Sequence, residues 1–259
     1  MNQGRKSLVV HFLGCEALTR PQSTGPIELE PRVIDVWGVA LADEEQTLET
    51  MRSWLDTQET TRVARFVREE DRRRYVLAHG CLRAILGRYL ALTPNLVRFH
   101  VPEGGKPRMA DGAPQHAAIQ FNLSHSQERI LVAVAQDTAV GVDLEGVRDE
   151  VDVDGLAKRF YTPAECDWLR QFPADERRGA FYRLWVAKEA VLKGEGVGLP
   201  SLQSCEVLPN DGAGHTMVRV PNGTGLQPDW HIAWLRLDSG WMGAVACRTG
   251  GWIVRAMTT

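Results

Sequence analysis

Two stretches of this 259-residue chain carry the same pattern, and a chain built on a repeated unit is restricted to few folds. Ile34-Asp35-Val36-Trp37-Gly38 matches Val142-Asp143-Leu144-Glu145-Gly146, each an apolar run with an aspartate second. Ala64-Arg65-Phe66 matches Lys158-Arg159-Phe160, the run Leu82–Gly87 matches Lys188–Lys193, and the segment pair 119–135 matches 231–247. The order is kept while the offset drifts between 94 and 112 residues, as unequal loops would make it. The pattern predicts an α+β fold of two similar α/β halves, residues 32–138 and 139–259, with one active site in the cleft between them. Residues 1–31, with Pro21, Gly25, Pro26 and Pro31, read as an irregular lead-in.

Periodicity fills in the elements. In the first half, 33–41 reads as a strand, and Asp43 as the cap of a helix with Leu48, Met51 and Leu55 on its apolar face. A longer helix runs from about Glu69 to Leu92, with Tyr75, Leu77, Ala78, Leu82, Ile85, Leu86 and Tyr89 at helical spacing, and stops before Pro94. Strands follow over 96–101, 119–123 and 129–135. The second half predicts a strand over 140–144, helices over 153–159, 163–171 and 175–193, and strands near Glu206, Met217, His231 and Ala244.

Composition sets the class. With 44% hydrophobic residues, 24% charged and a net charge of −3, the chain matches globular proteins rather than disordered or fibrous ones. Its longer apolar stretches, such as Ile130 to Ala135, fall short of the roughly 18 residues a membrane-spanning helix needs. Arg5 and Lys6 before Leu8–Leu13 have the outline of a signal peptide, but His11 and Glu16 interrupt it and no small-residue cleavage site follows. The expectation is a cytoplasmic monomer that engages neither membrane nor nucleic acid. Five cysteines without a CxxC pair read as free thiols. Against 25 arginines there are only five lysines, which draws attention to Lys106, Lys188 and Lys193.

Asp143 and Glu145 stand two apart on an apolar strand, so alternation sends both carboxylates to one face. Two such acids repel unless a cation lies between them, and a hard divalent ion with oxygen ligands is the natural neutraliser. Taken alone the pair reads equally as a solvated strand end. Glu189 and Lys193, an i, i+4 pair, share one helix face and add a third carboxylate and a cation. The glycines after Lys193 end a helix instead of opening one, so they are no dinucleotide fingerprint. Gly104-Gly105-Lys106-Pro107-Arg108 is a turn presenting Lys106, and Phe121-Asn122-Leu123-Ser124-His125-Ser126 ends a strand. Adjacent strand residues face opposite ways, so Ser124 and His125 suit phosphate contacts better than a nucleophile and its base. The arginines between Arg62 and Arg74 are interleaved with Glu69, Glu70 and Asp71, the pattern of a solvated helix face.

From about Arg62 to Leu199 these motifs, in this order, resemble the larger, pseudo-dimeric type of 4'-phosphopantetheinyl transferase, which activates carrier domains of nonribosomal peptide and polyketide synthases. The resemblance rests on Gly105-Lys106-Pro107, residues 121–126, Gly141-Val142-Asp143-Leu144-Glu145, Lys158-Arg159-Phe160-Tyr161, and Trp185 to Ala190 with Lys193 and Gly194. It implies transfer of the phosphopantetheine arm of coenzyme A to a serine of an apo acyl or peptidyl carrier protein, releasing adenosine 3',5'-bisphosphate. By the same resemblance Asp143, Glu145 and Glu189 ligate magnesium, with manganese as an alternative, and Asp143, Glu189 as base and Lys193 at the diphosphate carry catalysis. Lys106 with Pro107, Ser124 and His125 hold phosphate groups, and Arg62 and Arg74 sit by the adenosine 3'-phosphate, Arg72 or Arg73 standing as alternatives to Arg74. The first half has Asp35 where the second has Asp143, but Trp37 in place of Glu145 and Arg83 in place of Glu189, so it assembles no second metal site. Two rival readings remain, a metal-dependent nuclease and a nucleic-acid binder using the Arg62–Arg74 face.

Overall fold

The computed structural model describes residues 9–20, 25–41, 44–103, 105–110, 118–209, 217–219, 229–248 and 250–258. In chain order these form β1 (Phe12–Gly14), β2 (Val33–Ala40), α1 (Glu45–Trp54), α2 (Thr57–Arg65), α3 (Glu69–Leu90), β3 (Phe99–His100), β4 (Arg108–Met109), β5 (Ile119–Ser126), β6 (Arg129–Gln136) and β7 (Val140–Gly146). There follow α4 (Val153–Phe160), α5 (Pro163–Arg170), α6 (Ala174–Glu195), β8 (Glu206–Leu208), β9 (Met217–Arg219), β10 (Trp230–Leu235), β11 (Trp241–Arg248) and β12 (Ile253–Met257).

The repeat is visible in strand order. The hairpin β5–β6 adds β2 antiparallel to β6, and the hairpin β10–β11 adds β7 antiparallel to β11. Alternation along these strands builds two faces per sheet. Trp37, Val39, Ile130, Val132 and Val134 pack with α3, and Ala244 and Ala246 pack with α6. From the other faces Ile34, Val36, Leu131, Ala133, Val140, Val142, Leu144 and Val245 meet in a middle core. The result is a helix, sheet, sheet, helix layering. Each outer layer rests on a 22-residue helix, α3 or α6. The opposite face of β7, carrying Gly141, Asp143 and Glu145, turns to α6. A Cβ on Gly141 would lie 1.9 Å from the Ala190 carbonyl oxygen, so only glycine admits this helix so close to the strand.

Buried ion pairs repeat too. Asp56 and Glu59 form a capping box at the start of α2, as Thr162 and Glu165 do at α5. Each third-position glutamate then meets a fully buried cation on the long helix: Glu59 takes Arg83, and Glu165 takes Lys188 at 2.5 Å. Arg83 is therefore the counterpart of Lys188, which corrects the pairing of Arg83 with Glu189 made from sequence; Ala84 stands opposite Glu189. Asp35, the counterpart of Asp143, is buried and accepts hydrogen bonds from Arg255 of β12 at 2.6 and 3.0 Å and from the Tyr89 hydroxyl at 2.9 Å.

Several elements depart from expectation. Residues 12–18, read as irregular, form β1 parallel to β2 and a 3-10 turn whose Cys15 and Leu18 enter the first core. The expected strand over 96–101 is a 3-10 turn, Pro94–Leu96, then β3; Pro94 sets the turn and the Arg83 guanidinium takes the Val97 carbonyl. Helix α2 and strand β12, the latter parallel to β2, were not anticipated. The long helix stops at Leu90 because Ala91 turns left-handed, at φ 53°. Asp43 and Gly104 lie outside the described residues.

Lys188→Met is expected to destabilise the chain by about 3–5 kcal/mol in urea denaturation, because it strands a buried Glu165 carboxylate. Adding Glu165→Gln should recover most of the loss. Equal destabilisation by the single and double variants would show that the pair has no such role.

Candidate active site

Strand β7 is the edge of its sheet, and an edge strand leaves a row of backbone groups to satisfy. Side chains of β5, from the other half, do this. The Asn122 Oδ1 accepts from the Val142 N–H at 2.9 Å, and the Ser126 Oγ accepts from the Gly146 N–H at 3.3 Å. The same row reaches the carboxylates of β7. Ser124 Oγ donates to Asp143 Oδ1 at 2.8 Å, and Ser126 Oγ donates to Glu145 Oε2 at 2.9 Å. All three β5 residues are buried, and their spacing of two is the strand period.

Helix α6 supplies the opposite wall. Lys193 Nζ donates to Asp143 Oδ1 at 2.6 Å and to Ser124 Oγ at 2.8 Å. Glu189, one turn earlier, has its pKa pushed up to about 7, by burial first and then by the charge of Asp143; Lys193 opposes the shift and Glu145 adds to it. Burial and Asp143 likewise raise Glu145, against the Ser126 hydrogen bond and the cations Lys193 and Arg148. Asp143 Oδ2 and Glu189 Oε1 are buried and have no hydrogen-bond partner. Three carboxylates thus share the electrostatic influence of one ammonium, which contacts Asp143.

This donor set fits a hard divalent cation: it offers carboxylate oxygens, two of them desolvated and unpaired. Among the described residues no three His, Cys, Asp or Glu side chains converge tightly enough to hold a metal ion, and the Lys193 ammonium lies against Asp143.

The other expected residues divide. His125 lies on the opposite face of β5 from Ser124 and is exposed; partial enclosure by neighbouring groups first, then Lys193, Arg74 and His79, hold its pKa below the usual value. Arg74 Nε donates to the Gln127 carbonyl at 2.9 Å, on the β5–β6 turn beside His125. Its neighbours turn elsewhere, Arg72 to Phe66 and Glu69 and Arg73 to Glu45. Arg62 stands over the Tyr75 ring at 5.9 Å, and Tyr75 stacks on His79 at 3.8 Å, a pair that sequence reading passed over. Lys106 donates from Nζ to the Val140 carbonyl at 2.5 Å; burial, then Arg108, push its pKa down to about 8 against the pull of Glu195. Pro107 follows it, half-buried. Asn122 and Ser126 received no role from sequence, although their spacing from Ser124 places all three on one face.

A profile of the 4'-phosphopantetheinyl transferase superfamily matches residues 139–246, and one of the 4'-phosphopantetheinyl transferase N-terminal region matches 42–137. The 4'-phosphopantetheinyl transferase HetI of Nostoc is 35% identical over 221 residues, covering 85% of this chain and 89% of the relative. The 4'-phosphopantetheinyl transferase Sfp of Bacillus subtilis is 31% identical over 159 residues, 61% of this chain and 67% of the relative.

In metal-free protein the Glu189 carboxyl should titrate near 7 by carbon-detected NMR. Asp143→Asn should lower that midpoint and Lys193→Met should raise it. Because the folded state holds a proton that the unfolded state releases near 4.5, the contribution of this group to stability is present below 4.5 and lost as the pH rises through about 7. A Glu189 midpoint near 4.5 would contradict the charge-crowded site.

Proposed function

This chain belongs to the 4'-phosphopantetheinyl transferases, which transfer phosphopantetheine from coenzyme A to carrier proteins, and from that premise we propose how its own residues act. The substrate is an apo acyl or peptidyl carrier protein. A serine oxygen of the carrier bonds to the phosphorus bearing the pantetheine arm, and the bond from that phosphorus to the bridging oxygen breaks. The leaving group departs as adenosine 3',5'-bisphosphate. The observation that carries this reading is the pair of buried, unpartnered carboxylate oxygens on Asp143 and Glu189 beside Lys193.

Glu189 is the base. Kept ionised by Lys193 and a bound cation, its carboxylate would take the serine proton directly or through water. Lys193, a compact point charge held by Asp143 and Ser124, stabilises negative charge on the departing phosphate. Asp143, Glu145 and Glu189 would hold magnesium, which supplies charge neutralisation at the diphosphate. Ser124, His125 and Lys106 with Pro107 bind the phosphates, and Arg74, anchored beside His125, takes the adenosine 3'-phosphate with Arg62. Residues 32–138 and 139–259, the latter lending β12 to the first sheet, act as two units sharing this one site. The ion pairs of Arg72, Arg73 and Arg74 with Glu69, Glu45 and Asp71 neutralise the arginine face and favour coenzyme A over nucleic acid as the partner. Among the described residues no helix is long and apolar enough to cross a membrane. We place the enzyme in the cytoplasm as a monomer.

Incubation of an apo carrier domain with this chain, coenzyme A and magnesium should add one phosphopantetheinyl group, read by intact mass spectrometry. Glu189→Gln should lower kcat by about 10²–10⁴. An unmodified carrier, or magnesium-dependent cleavage of plain DNA or RNA, would overturn the reading. Arg74→Ala should raise the KM for coenzyme A more than it lowers kcat, and dephospho-coenzyme A, lacking the 3'-phosphate, should show no such sensitivity.

A further inference from the structure

Ser126 has one proton to give and lone pairs to receive, and the structure uses both in a single way. The Gly146 N–H donates to its Oγ at 3.3 Å, and Oγ lies 2.9 Å from Glu145 Oε2, so the hydroxyl proton is directed to the carboxylate. Both partners are on β7, whereas Ser126 belongs to β5 in the other half. Upstream, the Asn122 Oδ1 bonded to the Val142 N–H sets the alignment that brings Ser126 opposite Glu145. Ser124 makes the parallel bond to Asp143, but it also takes the Lys193 ammonium and is part of the binding machinery. Ser126 is 7% exposed, and its hydroxyl bonds to nothing beyond β7 among the contacts described.

We infer that Ser126 is a positioning residue that pins one oxygen of Glu145 from across the two halves and leaves Oε1 as the oxygen available to a divalent cation. The inference rests on the reading of Glu145 as a metal ligand. A free glutamate must surrender rotamer freedom on binding a cation; one already hydrogen-bonded has surrendered part of it. Partners that orient a ligand in this way are worth about 10–100-fold in metal affinity.

The test titrates the full chain with Mn2+ alone, following free Mn2+ by electron paramagnetic resonance. Ser126→Ala should raise the Kd for Mn2+ by about tenfold or more, while at saturating metal the KM for coenzyme A stays near that of the parent. Ser126→Thr, which keeps the hydroxyl, should restore binding. Ser126→Cys, close in size but a weak donor, should reproduce the loss without leaving a void and so serves where the alanine variant does not fold. In a Glu145→Gln background the alanine substitution should cost nothing more. Parental Mn2+ affinity in Ser126→Ala or Ser126→Cys, or an undiminished loss in the Glu145→Gln background, overturns the inference while leaving Glu145 as a ligand. Parental affinity in Glu145→Gln itself overturns the ligand reading and this inference with it.

Discussion

The side-chain cover that β5 lays along the edge of β7 is the contact on which the rest of this structure depends. Asn122 and Ser126 accept the backbone N–H groups of Val142 and Gly146, so the strand bearing Asp143 and Glu145 is held by side chains of the other half. Without that cover, β7 would be an open edge carrying two acids, exposed to strand addition and to solvent. With it, Asp143 and Glu145 are desolvated, each has one oxygen tied to a serine, and Glu189 is crowded into sharing their space. The site proposed above draws on how the two sheets meet, with Asn122, Ser124 and Ser126 from one half against Asp143 and Glu145 of the other.

Duplication makes the asymmetry readable. Both halves bury an aspartate on the strand facing the long helix. In the first half Arg255 and Tyr89 together satisfy Asp35, and Trp37 stands where the second half has Glu145. That aspartate is a finished structural group. In the second half the cation is Lys193, it reaches one oxygen of Asp143 only, and two further carboxylates lie nearby. Negative charge is left over on that side, and carboxylates in excess of their cation suit the binding of a further cation better than they suit stability. The buried pairs Glu59–Arg83 and Glu165–Lys188 show the opposite case, a repeat conserved as scaffold in both halves.

How much of this was legible in the sequence depended on whether the information was local. Period-two alternation put Asp143 with Glu145, and helical spacing put Glu189 with Lys193, without any knowledge of the partner layer. The repeat located both hairpins and their third strands. What escaped was set by distant partners. Strand β12 is short and pairs with residues more than 200 positions away, and β1 gains its regularity only from β2. Helix α2 did carry a local sign, the capping box of Asp56 and Glu59. The turn presenting Lys106 was local and legible, whereas the bond of its Nζ to the Val140 carbonyl of the other half was not. Ser126 went unassigned because its partner lies across that same junction.

The central claim is that one charge-unbalanced site, shared by two halves, exists in each chain. Equilibrium dialysis against Mg2+ with saturating coenzyme A measures it most directly. The account predicts one bound equivalent per chain, lost in Asp143→Asn and retained in Asp35→Asn. Two equivalents in the parent, or loss in a folded Asp35→Asn variant equal to that in Asp143→Asn, would contradict it.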